Sequence, residues 1–148
     1  MVGHIKIKGL SKIIKFSDRL DQAHRTLKAS IDSESNKFGD RSVKQLRKAM
    51  KSRKTGKVYR IGGRNHRASA SGEAPAYLTG TLYKGTTYDI SERGKSTRLN
   101  VGYTTPYGRW LEGGTSKMGA RPNIVHLMGN SESLIHPIMK RLTRILRF

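Results

Sequence analysis

The chain has no cysteine, four prolines, one tryptophan and ten acidic residues among 148. Without cysteine there is no disulfide scaffold, no thiolate zinc site and no cysteine nucleophile. Aromatic residues make up 7% and hydrophobic ones 34%, with a mean hydropathy of -0.63. No apolar run approaches the ~18 residues that a membrane span requires, so no integral membrane protein is expected. Residues 1 to 16 hold no apolar block followed by a small-residue cleavage site and do not read as a secretory signal. The length suits one ordinary domain, which at this size buries roughly 70% of the surface its unfolded chain exposes.

Positive charge is abundant. Thirty Lys and Arg against ten Asp and Glu give a formal +20. Such an excess repels itself and is tolerated most easily beside polyanions or acidic surfaces, which points first to nucleic acid; a solvated basic surface with no dedicated ligand is the plainer alternative. The charge is unevenly placed. Arg41, Lys44, Arg47, Lys48, Lys51, Arg53, Lys54, Lys57, Arg60, Arg64 and Arg67 follow one another with no acid between them. Shorter basic stretches run from Lys6 to Lys15 and from Lys140 to Arg147, whereas residues 18 to 40 carry five acids against four bases. A basic half and a neutral half imply one face for a polyanion and another for packing.

Phe16, Leu20, Ala23, Leu27 and Ile31 recur at helical spacing, with Ser17 placed to cap and Asp18 in the first turn, predicting a helix from Ser17 to Phe38. Gly39 is expected to end or kink it, and Asp40 to cap a second helix whose apolar stripe is Val43, Leu46 and Met50 and whose other side is basic. Lys57 to Ile61 has strand character up to Gly62-Gly63, and Arg64 to Pro75 reads as an exposed loop. Leu82 to Ile90 and Thr97 to Tyr103 should pair as an antiparallel hairpin across the turn at Ser91 to Ser96. Thr105-Pro106 supplies a cap and first position for a short helix through Trp110 and Leu111, stopped by Gly113-Gly114. A basic amphipathic helix built on Ile138, Leu142, Ile145 and Leu146 closes the chain, with Pro137 at its start or at a kink. The expected fold is α+β: one domain over residues 1 to 148, with a long N-terminal helix and a C-terminal helix packed on a small antiparallel β-sheet. Residues 1 to 15 are expected to form an arm and 62 to 76 an extended loop, both mobile in the isolated subunit.

Signals for catalysis are sparse. Gly94-Lys95-Ser96 resembles the end of a phosphate-binding loop, but Asp89 stands where its first glycine belongs, so a hairpin turn explains it better. The glycines at 113, 114 and 119 do not follow a strand in the dinucleotide-binding pattern. No two of His4, His24, His66, His126 and His136 have the spacing of metal ligands on one helix face, and His24 falls on the apolar side of its helix as a core or interface residue. No Gly-x-Ser-x-Gly elbow marks a hydrolase, and the acids are too scattered to gather a nuclease metal. No enzyme activity, cofactor or metal is expected, and a toxin or nuclease is the remote alternative. Finger, homeodomain, RNP and KH signatures are missing, and Tyr59 is the only aromatic between Arg41 and Arg67. Non-specific, salt-dependent contact with phosphate backbone fits this composition better than base readout. Its candidate residues are Arg41, Lys44, Arg47, Lys48, Lys51, Arg53, Lys54, Arg60, Arg64 and Arg67.

Three ordered blocks then stand out: Ser71-Gly72-Glu73-Ala74-Pro75-Ala76, Thr79-Gly80-Thr81-Leu82, and Pro106-Tyr107 through Glu112, Gly114-Thr115-Ser116-Lys117 and Ala120-Arg121-Pro122. Over roughly residues 57 to 122 the chain resembles the minor-tail, or tail-completion, proteins of the tailed-bacteriophage head–tail junction. It departs from that pattern at Asn123, where the family often carries a bulky apolar residue. The resemblance implies a non-enzymatic virion protein, made in the host cytoplasm and located at the head–tail junction or tail. It further implies a hexameric ring between connector or stopper proteins and tail-terminator or tail-tube proteins, with genome DNA passing through, and no membrane. Pro75 and Pro122 hold Ala74 and Arg121 extended, as suits segments that reach a neighbouring subunit. Pro75, Tyr107, Trp110, Glu112, Thr115, Ser116, Lys117 and Arg121 are therefore the candidate subunit-interface residues, with Trp110 as an amphipathic anchor and Glu112 pairing with Lys117 or Arg121 across subunits. The competing reading places Trp110 and Leu111 in the monomer core. A free, basic, non-sequence-specific nucleic-acid-binding protein is the alternative function.

Overall fold

The computed structural model describes residues 10–94, 96–129 and 131–145, with the side chains of residues 10–13, 131, 133, 134 and 145 outside the description. One helix dominates. α1 (Leu10–Lys51) runs unbroken for 42 residues, about 63 Å at 1.5 Å per residue. Ser17 is inside it rather than at its start, and the expected arm of residues 1 to 15 is helical from Leu10; the first nine residues lie outside the description.

Gly39 neither ends nor kinks α1. Its lack of a side chain serves a close approach instead: a Cβ there would sit 2.4 Å from the Tyr88 ring. Tyr88 belongs to β3 (Thr86–Arg93), which pairs antiparallel with β4 (Ser96–Tyr103) in register Thr86↔Tyr103 to Arg93↔Ser96. This hairpin lies along α1 in the opposite direction. Arg47 reaches the Thr86 carbonyl, the Tyr88 hydroxyl donates to Asn36 Oδ1 at 3.2 Å, and Lys28 pairs with Glu92 at 3.2 Å. The expected strand began at Leu82, but Thr81–Lys84 forms the single turn α2, and Leu82 turns inward to the core. Local alternation in Leu82-Tyr83-Lys84 is overridden by the burial of Leu82.

β1 (Val58–Ile61) and β2 (Arg64–Arg67) form a second, separate hairpin, so the expected loop at 64 to 75 begins with a strand. Gly62 and Gly63, at φ +53° and +77°, make the two-residue turn that matches strand twist, a conformation few other residues adopt in tandem. All of β1 and β2 except half-buried His66 is exposed.

α3 (Gly108–Gly113) is the expected short helix, although Tyr107 and not Thr105 stands at its N-cap; the Thr105 carbonyl closes the preceding turn by accepting from Gly108 N–H. α4 (Ile124–Gly129) and α5 (Ser131–Ile145) follow, and Pro137 lies inside α5 rather than at its start. α5 runs back along α1, with Ile138 and Leu142 half-buried and Arg141 bonded to Glu34 at 3.0 Å. Leu146, expected in the same stripe, lies outside the described residues.

The architecture is α+β, with a long N-terminal helix, shorter C-terminal helices and two small antiparallel sheets. Its hydrophobic centre is small: Leu46, Met50 and Leu82 are the buried large apolar side chains among the described residues. Gly39, Ser42, Leu46 and Met50 share one side of α1, and their burial fixes which way the helix faces. Replacing Gly39 by Ala should lower the thermal midpoint, although Ala is favoured in a helix interior by about 1 kcal/mol, because the added methyl meets the base of the Tyr88 ring. A raised midpoint would show that the hairpin can move aside.

Candidate functional site

The side of α1 opposite its buried face carries Lys37, Arg41, Lys44, Lys48 and Lys51 at spacings of three and four, a cationic stripe about 21 Å long. Lys37 is paired with Glu34 at 2.8 Å. Arg41, Lys44 and Lys48 are exposed and have no ion-pair partner among the described residues. Arg47, one position off this stripe, is half-buried and turned inward. Its Nε donates to the Tyr83 carbonyl at 3.0 Å, Nη2 donates to Thr86 O at 3.0 Å, and its guanidinium stacks 5.1 Å from the Tyr83 ring. Arg47 therefore holds α2 and β3 to α1.

The stripe leads into a cleft of about 570 Å³ between the end of α1 and the β1–β2 hairpin, walled by Lys51, Arg53, Lys54, His66, Arg67 and Tyr77 and lined by no acid. Lys51 sits over the Tyr83 and Tyr77 rings at 4.6 and 5.6 Å, so its charge stays at the rim. Lys54 is 7% exposed and donates to Ala49 O at 2.8 Å, satisfying a carbonyl at the negative end of the helix dipole. Burial pushes the Lys54 ammonium below its ordinary pKa, an effect that nearby Glu73 partly offsets. Arg67 donates to Gly56 O at 3.3 Å, while Arg60 and Arg64 project from opposite faces of the exposed hairpin. Eight of the ten candidate cations thus remain exposed, and Arg47 and Lys54 are committed to the fold.

The three sequence blocks converge on the other side of Tyr77. Ser69, Pro75, Leu78, Tyr107, Leu111 and Arg121 line a cleft of about 260 Å³ floored by Met50 and Leu82. Two carboxylates brace its walls. Glu73 accepts from Thr55 Oγ1 at 2.7 Å, Ala70 N at 2.9 Å and Thr55 N at 3.2 Å, and these bonds hold its pKa below the ordinary value. Glu112 accepts from the backbone N–H groups of Asn123 and Ile124 at 3.0 to 3.2 Å, capping α4, and from the Tyr103 hydroxyl at 3.0 Å. Asn123, 3% exposed, donates to Leu46 O at 3.3 Å and to the Tyr103 hydroxyl at 3.2 Å. Burial and the Glu112 charge push the Tyr103 phenol well above its ordinary pKa.

The candidate interface residues differ in how far the single chain already engages them. Within the single chain Glu112 is engaged by the α4 amides and the Tyr103 hydroxyl and forms no ion pair with Lys117 or Arg121, and Arg121 Nε donates to Ser69 O at 3.1 Å. Pro75 is buried in the cleft wall. His24, expected at a core or interface, is exposed and so lies outside the core. Trp110, by contrast, is 48% exposed, with Arg109 stacked 5.5 Å away, and so does not fill the core. Tyr107 is exposed as well, and Thr115, Ser116 and Lys117 form an exposed tight turn closed by Thr115 and Met118. Sequence reasoning took Asn123 only as a departure from the family pattern, although Asn directly before an apolar run is a helix-start signal; nothing in the sequence marked Tyr103.

Among the described residues no three His, Asp or Glu side chains gather to hold a metal, and no helix is long and apolar enough to cross a membrane. The Glu73 contribution to stability should be complete above its ordinary pKa of 4.5 and be lost as pH falls through the lowered native value. Melting followed from pH 7 to pH 2 should therefore show a steeper acid decline for the native chain than for Glu73→Gln; equal slopes would contradict the brace. Compared with protein families, with curated proteins and with solved structures, the chain finds no match in any of the three.

Proposed function

We propose that the chain is a structural subunit of a tailed-phage virion, a tail-completion or head–tail joining protein that forms a ring at the head–tail interface or tail end through which genome DNA passes. The observation that carries this reading is the mismatch between core and surface. Three large apolar side chains are buried, while fourteen, including Phe16, Leu20, Tyr59, Trp110, Met128 and Met139, are exposed among the described residues. A chain that leaves so much apolar surface in water is completed by neighbours.

The charge fits the same assembly. Six copies at +20 each repel one another unless anions lie within the ring or beside it. The Arg41, Lys44 and Lys48 stripe and the basic cleft offer phosphate contacts without base readout, which suits DNA that must slide. Acidic faces of connector, stopper, tail-terminator or tube proteins are the other partners such a ring meets. The protein acts by assembly and not by catalysis, takes no cofactor, and works in the virion after synthesis in the host cytoplasm.

A second reading, a free basic nucleic-acid-binding protein, draws on the same stripe and on Tyr77 at the rim of the basic cleft. Native mass measurement at moderate salt separates the two. A discrete ring, alone or with added virion partners, is expected; a persistent monomer that binds duplex DNA at sub-micromolar Kd in 150 mM salt supports the second. In either case Arg41→Ala, Lys44→Ala and Lys48→Ala combined should reduce the slope of log affinity against log salt by about 3, near 0.9 per phosphate contact. An unchanged slope would remove the stripe from the DNA path.

A further inference from the structure

Two bare apolar helix faces remain on the chain, and they complement each other. The first is the beginning of α1. Phe16, Leu20, Ala23 and Leu27 continue at spacings of four, three and four, the seam of a helix that packs on another helix. Leu27 is half-buried beside Glu92 and Thr97 of the β3–β4 hairpin, but Phe16 and Leu20, farther out, are 63% and 54% exposed. The second is the outer side of α5. Ile138 and Leu142 turn toward α1, whereas Ile135 and Met139, one turn apart, are 43% and 56% exposed. α4, just before it, adds exposed Val125 and Met128.

The charges beside these faces differ in sign. Arg19 borders the Phe16–Leu20 face and has no ion-pair partner among the described residues. On α5, Glu132 lies one turn before Ile135 and two turns before Met139, on their exposed side. Four of the five glutamates brace the chain internally: Glu34, Glu73, Glu92 and Glu112. Glu132 is the exception among the described residues, with only its favourable place in the first turn of α5. Two α1 segments meeting each other would bring Lys15 and Arg19 against the same cations, so self-pairing of that face is disfavoured. Nucleic acid offers no apolar surface to cover it.

We propose that the Phe16–Leu20 face of one copy packs on the Ile135–Met139 face of the next, with Arg19 opposite Glu132. The proposal rests on the ring reading and specifies its contact. The interface joins two different patches, head to tail, which is the kind that closes into rings. It also leaves the cationic stripe, on another part of α1, uncovered.

Complementation tests it. Phe16→Glu with Leu20→Glu breaks one half, and Ile135→Glu with Met139→Glu breaks the other; all four side chains are exposed, so circular dichroism should match the native chain. Each variant alone is expected to be monomeric by analytical ultracentrifugation under conditions where the native chain assembles. Mixed, they keep one intact pair of faces and should form dimers and nothing larger. Ile14→Glu, on the opposite side of α1, controls for added negative charge and should assemble normally. Arg19→Glu should weaken assembly about two- to fivefold, as expected for an exposed ion pair, and Glu132→Arg should restore it. If either double variant assembles like the native chain, or the mixture stays monomeric, the contact is wrong while a native ring stands. A native chain that remains monomeric with and without virion partners overturns the ring reading itself.

Discussion

The buried side of α1 between Gly39 and Met50 organises the molecule. Gly39 admits the Tyr88 ring, Leu46 and Met50 are buried, with Leu82 beside Met50 in one cleft, and the Leu46 carbonyl accepts from Asn123. The β3–β4 hairpin, α2 and the start of α4 are each fixed to α1 at this one stretch, and α5 then returns along it to Glu34. The polar fastenings matter because the apolar core is small. Arg47 satisfies carbonyls of α2 and β3, and Glu112 satisfies the amide groups at the start of α4, so polar ends that packing would otherwise strand are paired.

The same helix separates two kinds of surface. Its buried face and its cationic stripe lie on opposite sides, so forming the core necessarily presents Arg41, Lys44 and Lys48 outward in one row. At the end of α1 the row meets the β1–β2 hairpin, which buries almost nothing of its own. A two-stranded ribbon exposed on both faces is marginal by itself, and Val58, Tyr59 and Ile61 stand 46% to 51% exposed on this one. Basic ribbon, basic cleft and basic stripe form one continuous side, whereas the apolar faces of early α1 and of α5 lie in stretches where charges of both signs occur. Contacts between like-charged copies are most easily made there.

Much of the fold could be read from local pattern. The seam from Phe16 to Ile31, the stripe of Leu46 and Met50, the alternation in Tyr88 to Tyr103 and the Gly113-Gly114 stop each announced an element of the right type. The errors arose where a residue has two uses. Gly39 looked like a helix end because glycine is a poor helix former, yet tertiary packing against Tyr88 decided its place. Gly62-Gly63 looked like the end of a strand, and its capacity for a two-residue hairpin turn went unread. Glu112 reads in the sequence as a charge for a cation, and its bonds to the amides opening α4 appear only in three dimensions. The cationic candidates were legible as a set, but only the three-dimensional arrangement separates Arg47 and Lys54, held by backbone carbonyls, from the exposed remainder.

The central claim is that many copies of this chain surround a DNA passage at the junction of a phage head and tail. Imaging particles whose copies of this subunit carry a small C-terminal tag tests that claim most directly. Tag density is expected in a closed ring on the particle axis, at the neck or the tail end. Particles without the subunit, or with isolated copies away from the axis, would contradict it.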